Sequence, residues 1–214
     1  MLRNSAFSMT APAPAMAGQI SRHVAKSGGL GEVVMTFALL MIGVGILAIS
    51  ARIQVPFYPV PVTMQTLAVM VIAMAYGSKL GSATLFSYLL AGFLGAPVFA
   101  GGAGFAYMAG PTGGYLAGFL AAGVVLGALA DRGWTRNWQT TAAAMVLGTA
   151  IIYFLGVAWL SQLIGFDKAI AFGVMPFIYG DILKLVIAAM SVPFMWKLVS
   201  KLTSFQFELK LYNL

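Results

Sequence analysis

Phe177-Ile-Tyr-Gly-Asp181-Ile-Leu-Lys184-Leu-Val-Ile-Ala-Ala-Met190 is the stretch that decides the fold. Its apolar run shows no period-two alternation, so it reads as a membrane-spanning helix and not as a strand of a membrane barrel. An acid and a base stand three residues apart inside it. On a helix that spacing places both on one face, where they can neutralise each other. Ionisable groups inside a span are costly unless they pair or face a polar cavity. Asp181 and Lys184 are therefore candidate binding residues. The alternative is an interfacial pair, with Asp181 near the helix N-terminus and Lys184 reaching outward.

The rest of the 214-residue chain has the same character: 61% of it is hydrophobic, only 8% is charged, and the mean hydropathy is +0.94. This composition implies a polytopic helical membrane protein. The net charge of +7 would suggest nucleic acid in a soluble chain, but here the basic residues flank apolar segments and read as topogenic charge. Cysteine is absent, which excludes disulfides, thiol nucleophiles and thiolate metal sites. The single histidine, His23, lies in the polar N-terminal segment, which argues against metal or histidine-based catalysis. No G-x-x-x-x-G-K-[ST] phosphate loop occurs, so the chain does not itself bind ATP in the P-loop manner.

Residues 1–30 read as a polar cytoplasmic tail, 31–203 as the membrane domain and 204–214 as a C-terminal tail or appended remnant. Apolar spans are expected at about 33–51, 62–77, 80–98, 113–130, 140–163 and 177–199. Six spans put both termini on one side. With the N-terminus inside, that side holds Arg3, Arg22, Lys26, Lys79, Arg132, Arg136, Lys197, Lys201 and Lys210, against only Arg52 and Lys168 outside. The bias predicts that both termini are cytoplasmic. The outer face then receives the Pro-rich loop Ile53–Thr63, the Gly-rich linker Pro97–Gly114 and the start of the last span. Irregular backbone at membrane depth is tolerated only where protein or a wet cavity covers it. An outward-facing ligand pocket is the economical reading.

Gly110-Pro111-Thr112-Gly113-Gly114-Tyr115 opens the fourth span. Thr112 can serve as an N-cap beside Pro111, or the glycines can let backbone N–H groups approach a ligand. The pattern alone does not separate the two. Pro56, Pro59 and Pro61 stiffen the outer loop, which could form a lid or a pocket wall. Gly43, Gly45, Ala91, Gly92, Gly118, Gly123 and Gly127 suit close helix packing, and Trp134, Trp138 and Trp196 suit an interfacial belt.

Three segments together resemble the biotin-specific substrate-binding subunit of energy-coupling-factor transporters, the BioY family. They are Val55-Pro-Phe-Tyr-Pro-Val-Pro-Val-Thr-Met-Gln65-Thr-Leu-Ala68, Tyr88-Leu-Leu-Ala-Gly-Phe-Leu-Gly-Ala-Pro-Val-Phe-Ala-Gly-Gly102 running on to Gly110–Tyr115, and Gly180-Asp-Ile-Leu-Lys184. The resemblance covers roughly residues 33–200. It implies an all-α, six-helix S-component fold and biotin as ligand, with no cofactor, metal or catalytic residue. It nominates Asp181, Lys184, Pro111, Thr112, Gly113, Gly114, Tyr115, Gly102, Tyr88 and Gln65 as substrate-binding residues. Asp181 would take the ureido N–H groups, and Lys184 the ureido oxygen or the carboxylate. The loops at 55–65 and 100–115 would close over the ligand.

The resemblance also implies a bacterial inner-membrane location and three partners: a transmembrane coupling subunit and two ATPases, which alone hydrolyse ATP. Such subunits dock through small residues spaced by four on the first helix. This chain offers Ala38, Gly45 and Ala48 without an Ala-x-x-x-Ala run. Some relatives contribute an asparagine from the linker before the Gly-Pro-Thr turn; residues 100–109 have none. Two competing readings are a stand-alone ion-coupled transporter using Asp181 as a proton-linked carboxylate, and an assembly subunit with no ligand.

Overall fold

Inside a bilayer no water is available to the backbone, so each spanning segment must satisfy its own N–H and C=O groups, and a helix does so within one segment. The structure, a computed structural model, describes Met16 and residues 29–212, with side chains through Lys201. The tail read at 1–30 thus falls largely outside the described residues. The elements are α1 (Gly29–Arg52), β1 (Gln54–Val55), β2 (Val62–Thr63), α2 (Gln65–Phe93), α3 (Gly104–Met108), α4 (Gly113–Asp131), α5 (Trp138–Ile164), α6 (Phe166–Gly173) and α7 (Ile178–Tyr212). Five helices are long and apolar enough to cross a membrane: α1, α2, α4, α5 and residues 178–201 of α7. The chain is a multi-pass helical membrane protein.

The spans expected at 62–77 and 80–98 form the single element α2, which turns back on itself. Gly77 has φ 78° and ψ −176°, a conformation open to glycine and not to residues with a Cβ. In a straight helix residues 73 and 81 would stand about 12 Å apart. Instead, a Cβ built on Gly81 would lie 3.3 Å from Cα of Ala73. The arms 65–76 and 78–93 are therefore antiparallel neighbours. The carboxylate of Asp131, at the end of α4, accepts from the backbone N–H of Ser78 at 3.1 Å and also from its hydroxyl. That places a negative charge at the N-terminus of the second arm, where free N–H groups favour it.

Boundaries shift for local reasons. The second span begins at Gln65 because Val62 and Thr63 are tied into a two-residue antiparallel ladder with Val55 and Gln54. The third ends at Phe93 and not near 98. Gly95, at φ 99°, donates to the Gly92 carbonyl, while Ala96 donates to that of Ala91, the paired bonds of a Schellman stop. Between the fifth and sixth spans lies a short helix, α6, which the pattern of apolar runs did not mark. α7 continues as helix through residues 204–212, the stretch read as a tail.

α4 packs on α2 and on α5, and α1 and α7 lie at the periphery. Close approach is achieved at small residues: a Cβ on Gly118 would sit 2.9 Å from Cα of Ile152, and one on Gly127 would sit 2.7 Å from Cα of Ser78. One buried cluster, including Leu47, Leu85, Phe119 and Ile152, surrounds the end of the bundle that carries the β-ladder. A second, rich in methionine (Met16, Met70, Met74, Met145), fills the Gly77 end. Much of the outer surface of α1 and α7 is apolar and exposed, as lipid contact requires.

Candidate functional site

The first two turns of α7 bring Asp181 and Lys184 to the inward face of that helix, each 5% exposed. Lys184 Nζ stands 2.6 Å from Asp181 Oδ1, and these residues form a buried ion pair. An ammonium has three N–H donors, and Lys184 directs them to Asp181 Oδ1, to the Thr63 carbonyl at 2.7 Å and to Thr66 Oγ1 at 3.2 Å. Asp181 accepts from two further side chains. Thr66 donates to Oδ1 at 3.3 Å, and the Tyr153 hydroxyl donates to Oδ2 at 2.5 Å. Burial of two charges is tolerable in such a closed network of donors and acceptors.

In front of this network lies a small pocket, partly open to solvent. Its walls come from the ladder loop (Val60, Pro61, Thr63), the linker (Phe99, Ala100, Tyr107), the three helices α2, α4 and α5, and Thr112 and Phe177 just ahead of α4 and α7. Its largely apolar wall with a few polar groups is the kind of lining that small organic ligands use. Asp181 and Lys184 do not themselves line it: Thr66 and Tyr153 do, and they stand between the charges and the space. Tyr115, Tyr153 and Phe177 form an aromatic side of the cavity, with ring centroids 6.3 Å apart for Tyr115–Phe177 and 6.5 Å for Tyr153–Phe177. Tyr115 is anchored by donating to the Gly173 carbonyl at 2.8 Å.

The other sequence-nominated residues divide. Gln65 and Thr112 line the cavity with Tyr115. Tyr88 sits one layer back: its hydroxyl donates to the Val98 carbonyl at 3.0 Å and accepts from Gln65 Nε2 at 2.6 Å. Pro111, Gly102, Gly113 and Gly114 are not in the wall. Gly113 and Gly114 meet protein, since a Cβ there would fall 1.9 Å from the Met108 carbonyl oxygen and 2.3 Å from Cβ of Trp159. Gly102 packs against the Tyr107 ring. The glycines of the Gly-Pro-Thr turn thus serve close packing, Gly110 and Gly113 on α3 and Gly114 on α5, aided by Trp159 Nε1 donating to the Gly110 carbonyl at 2.9 Å. Thr112 occupies the N-cap position of α4, but its side chain makes no capping bond. Arg52, read as a span-end cation, donates to the Pro97 carbonyl, and Gln54 Nε2 donates to that of Ala100 at 3.1 Å. Both bonds tie the ladder to the linker.

The sequence reading missed Thr66, Tyr153 and Phe177 as site residues. Thr66 stands within the Pro-rich segment already quoted. Tyr153 had one local signal: it lies at the middle of its span, where a hydroxyl needs a partner, and not at the interface where tyrosines usually sit.

The fold and the site define a helical membrane bundle with a pocket backed by a buried charged pair. Residues 19–201 match the model of the BioY family, and the chain belongs to that family. It is 40% identical over 147 residues to the biotin transporter BioY of Thermotoga maritima, covering 68% of this chain and 86% of that one. It is 38% identical over 148 residues to a probable biotin transporter BioY of Pyrococcus horikoshii, covering 69% and 87%. The fold matches the crystal structure of an S-component for biotin from an ECF-type ABC transporter, with a TM-score of 0.70 and 26% identity over 79% of this chain and 95% of that one.

Proposed function

We propose that this chain is the biotin-binding subunit of an energy-coupling-factor importer and captures biotin at the outer face of the bacterial inner membrane. The carrying observation is the buried Asp181–Lys184 pair set behind a largely apolar pocket, in a chain whose relatives are biotin transporters. The two antiparallel arms of α2, counted separately, bring the crossing helices to six with both termini cytoplasmic. The cavity then opens outward, and the ladder loop and linker, already part of its wall, close over the ligand. Biotin's fused rings suit the aromatic side, and the charged network serves the ureido group. Transport is driven by a transmembrane coupling subunit and two ATPases, since the chain carries no phosphate loop of its own.

The test is calorimetry with biotin on the purified protein beside Asp181→Asn and Lys184→Met. Wild-type binding with large losses in both variants is expected. Unchanged affinity in both would remove the pair from the site, and no wild-type binding would overturn the ligand. Uptake that depends on the coupling module supports the importer. Uptake abolished by an uncoupler while ATP is maintained would instead favour the ion-coupled transporter.

A further inference from the structure

The hydrogen-bond directions around the cavity fix which polar atoms remain for a ligand. Tyr88 has one hydroxyl proton, and it goes to the Val98 carbonyl. Tyr88 therefore accepts from Gln65, which fixes the amide with Nε2 toward Tyr88 and leaves Oε1 as an acceptor. No donor reaches Gln65 Oε1 among the described residues, although the side chain lines the cavity and the residue is 4% exposed. A buried acceptor without a donor is costly, and a ligand donor relieves the cost. Tyr153 is in a similar position. Its proton is given to Asp181 Oδ2, so its oxygen can only accept from anything in the cavity. The three donors of Lys184 are meanwhile all taken by protein.

We infer that Gln65 Oε1 and Tyr153 Oη are the specificity-determining acceptors of the site, each receiving one N–H of a cyclic urea. This rests on the reading of the chain as a biotin binder and sharpens it. Asp181 acts on the ligand through Tyr153, since a phenol that donates to a carboxylate becomes a better acceptor. The arrangement selects a ligand end with two N–H donors. A carboxylate there would face acceptors on both sides.

The test is a ligand-by-residue cycle using biotin and its two mono-N-methylated ureido analogues against wild type, Tyr153→Phe and Gln65→Met. Wild-type biotin binding is the control on the underlying reading; its absence would overturn that reading before the acceptors are tested. Each variant is expected to weaken biotin by at least tenfold. Each should leave nearly unchanged the affinity for the analogue that already lacks its partner N–H, and the two variants should differ in which analogue that is. Equal losses for biotin and both analogues would mean that these residues only shape the cavity, and would overturn the inference. A second measurement covers analogues too weak to titrate. Losses from Tyr153→Phe and Asp181→Asn that fail to add in the double variant support action through Tyr153, and additive losses overturn it.

Discussion

Lys184 Nζ lies 2.7 Å from the carbonyl oxygen of Thr63, a residue 121 positions earlier in the chain. The buried ammonium thus fastens the base of the outer loop to α7 while neutralising Asp181. Removing either charge alone leaves the other buried and unpaired, which costs about 3–5 kcal/mol. Lys184→Met and Asp181→Asn should each lower the midpoint of thermal unfolding in detergent. The double variant should be more stable than the sum of the two losses predicts, because neither charge is then stranded. Strictly additive losses would show that the two residues do not act as a pair.

Helix packing gives a second expectation, at two glycines that look alike in sequence. Gly118 stands where a Cβ would press to 2.9 Å from Cα of Ile152, whereas nothing lies within 4 Å of one on Gly45. Gly118→Ala forces α4 and α5 apart and should destabilise by about 1–3 kcal/mol. Gly45→Ala should be neutral or slightly stabilising, since alanine is the better helix former. Thermal melts of the two variants side by side check this, and an equal effect of both would refute the packing argument.

At the far end of the bundle, Asp131 holds the turn of α2. Asp131→Asn removes a charged acceptor from a helix N-terminus, and Ser78→Ala removes one of the donors to it; each should cost about 1 kcal/mol of stability. Ligand affinity should stay within about twofold, because Gln65 and Ser78 are separated along the arm by about 20 Å. A large drop in biotin affinity with an unchanged melting midpoint would reverse both parts of this expectation.

The sequence revealed much of this design wherever a feature is local. The charged pair announced itself by charge contrast, and the spans by continuous apolar runs. Gly77-Ser78-Lys79 marked the turn of α2, although its reversal depends on the contact of Ala73 with Gly81. What stayed hidden depends on partners far along the chain. Tyr153 looks like any aromatic in an apolar span until Asp181, 28 residues later, accepts its proton. Gly113 and Gly114 have the same letters whether a ligand or the protein approaches them, and only the packing of α4 against Met108 of α3 and Trp159 of α5 decides. The family resemblance named a ligand, and it could not say that Thr66 and Tyr153 stand between the cavity and the charges.

The ladder and linker are joined by bonds from Arg52 to the Pro97 carbonyl and from Gln54 to that of Ala100. Both segments line the cavity, so in the proposed mechanism they must separate for ligand to pass. Neither side chain lines the cavity itself, and exposed or half-buried bonds of this kind are worth about 1 kcal/mol each. Arg52→Ala with Gln54→Ala should therefore speed ligand exchange more than it changes affinity. Stopped-flow displacement of bound biotin is expected to show release faster by about five- to thirtyfold, taking up to about 2 kcal/mol off the opening step. Binding should accelerate in partial compensation. Release at the wild-type rate would mean that the ladder and linker do not gate the cavity, and that ligand passes by another opening.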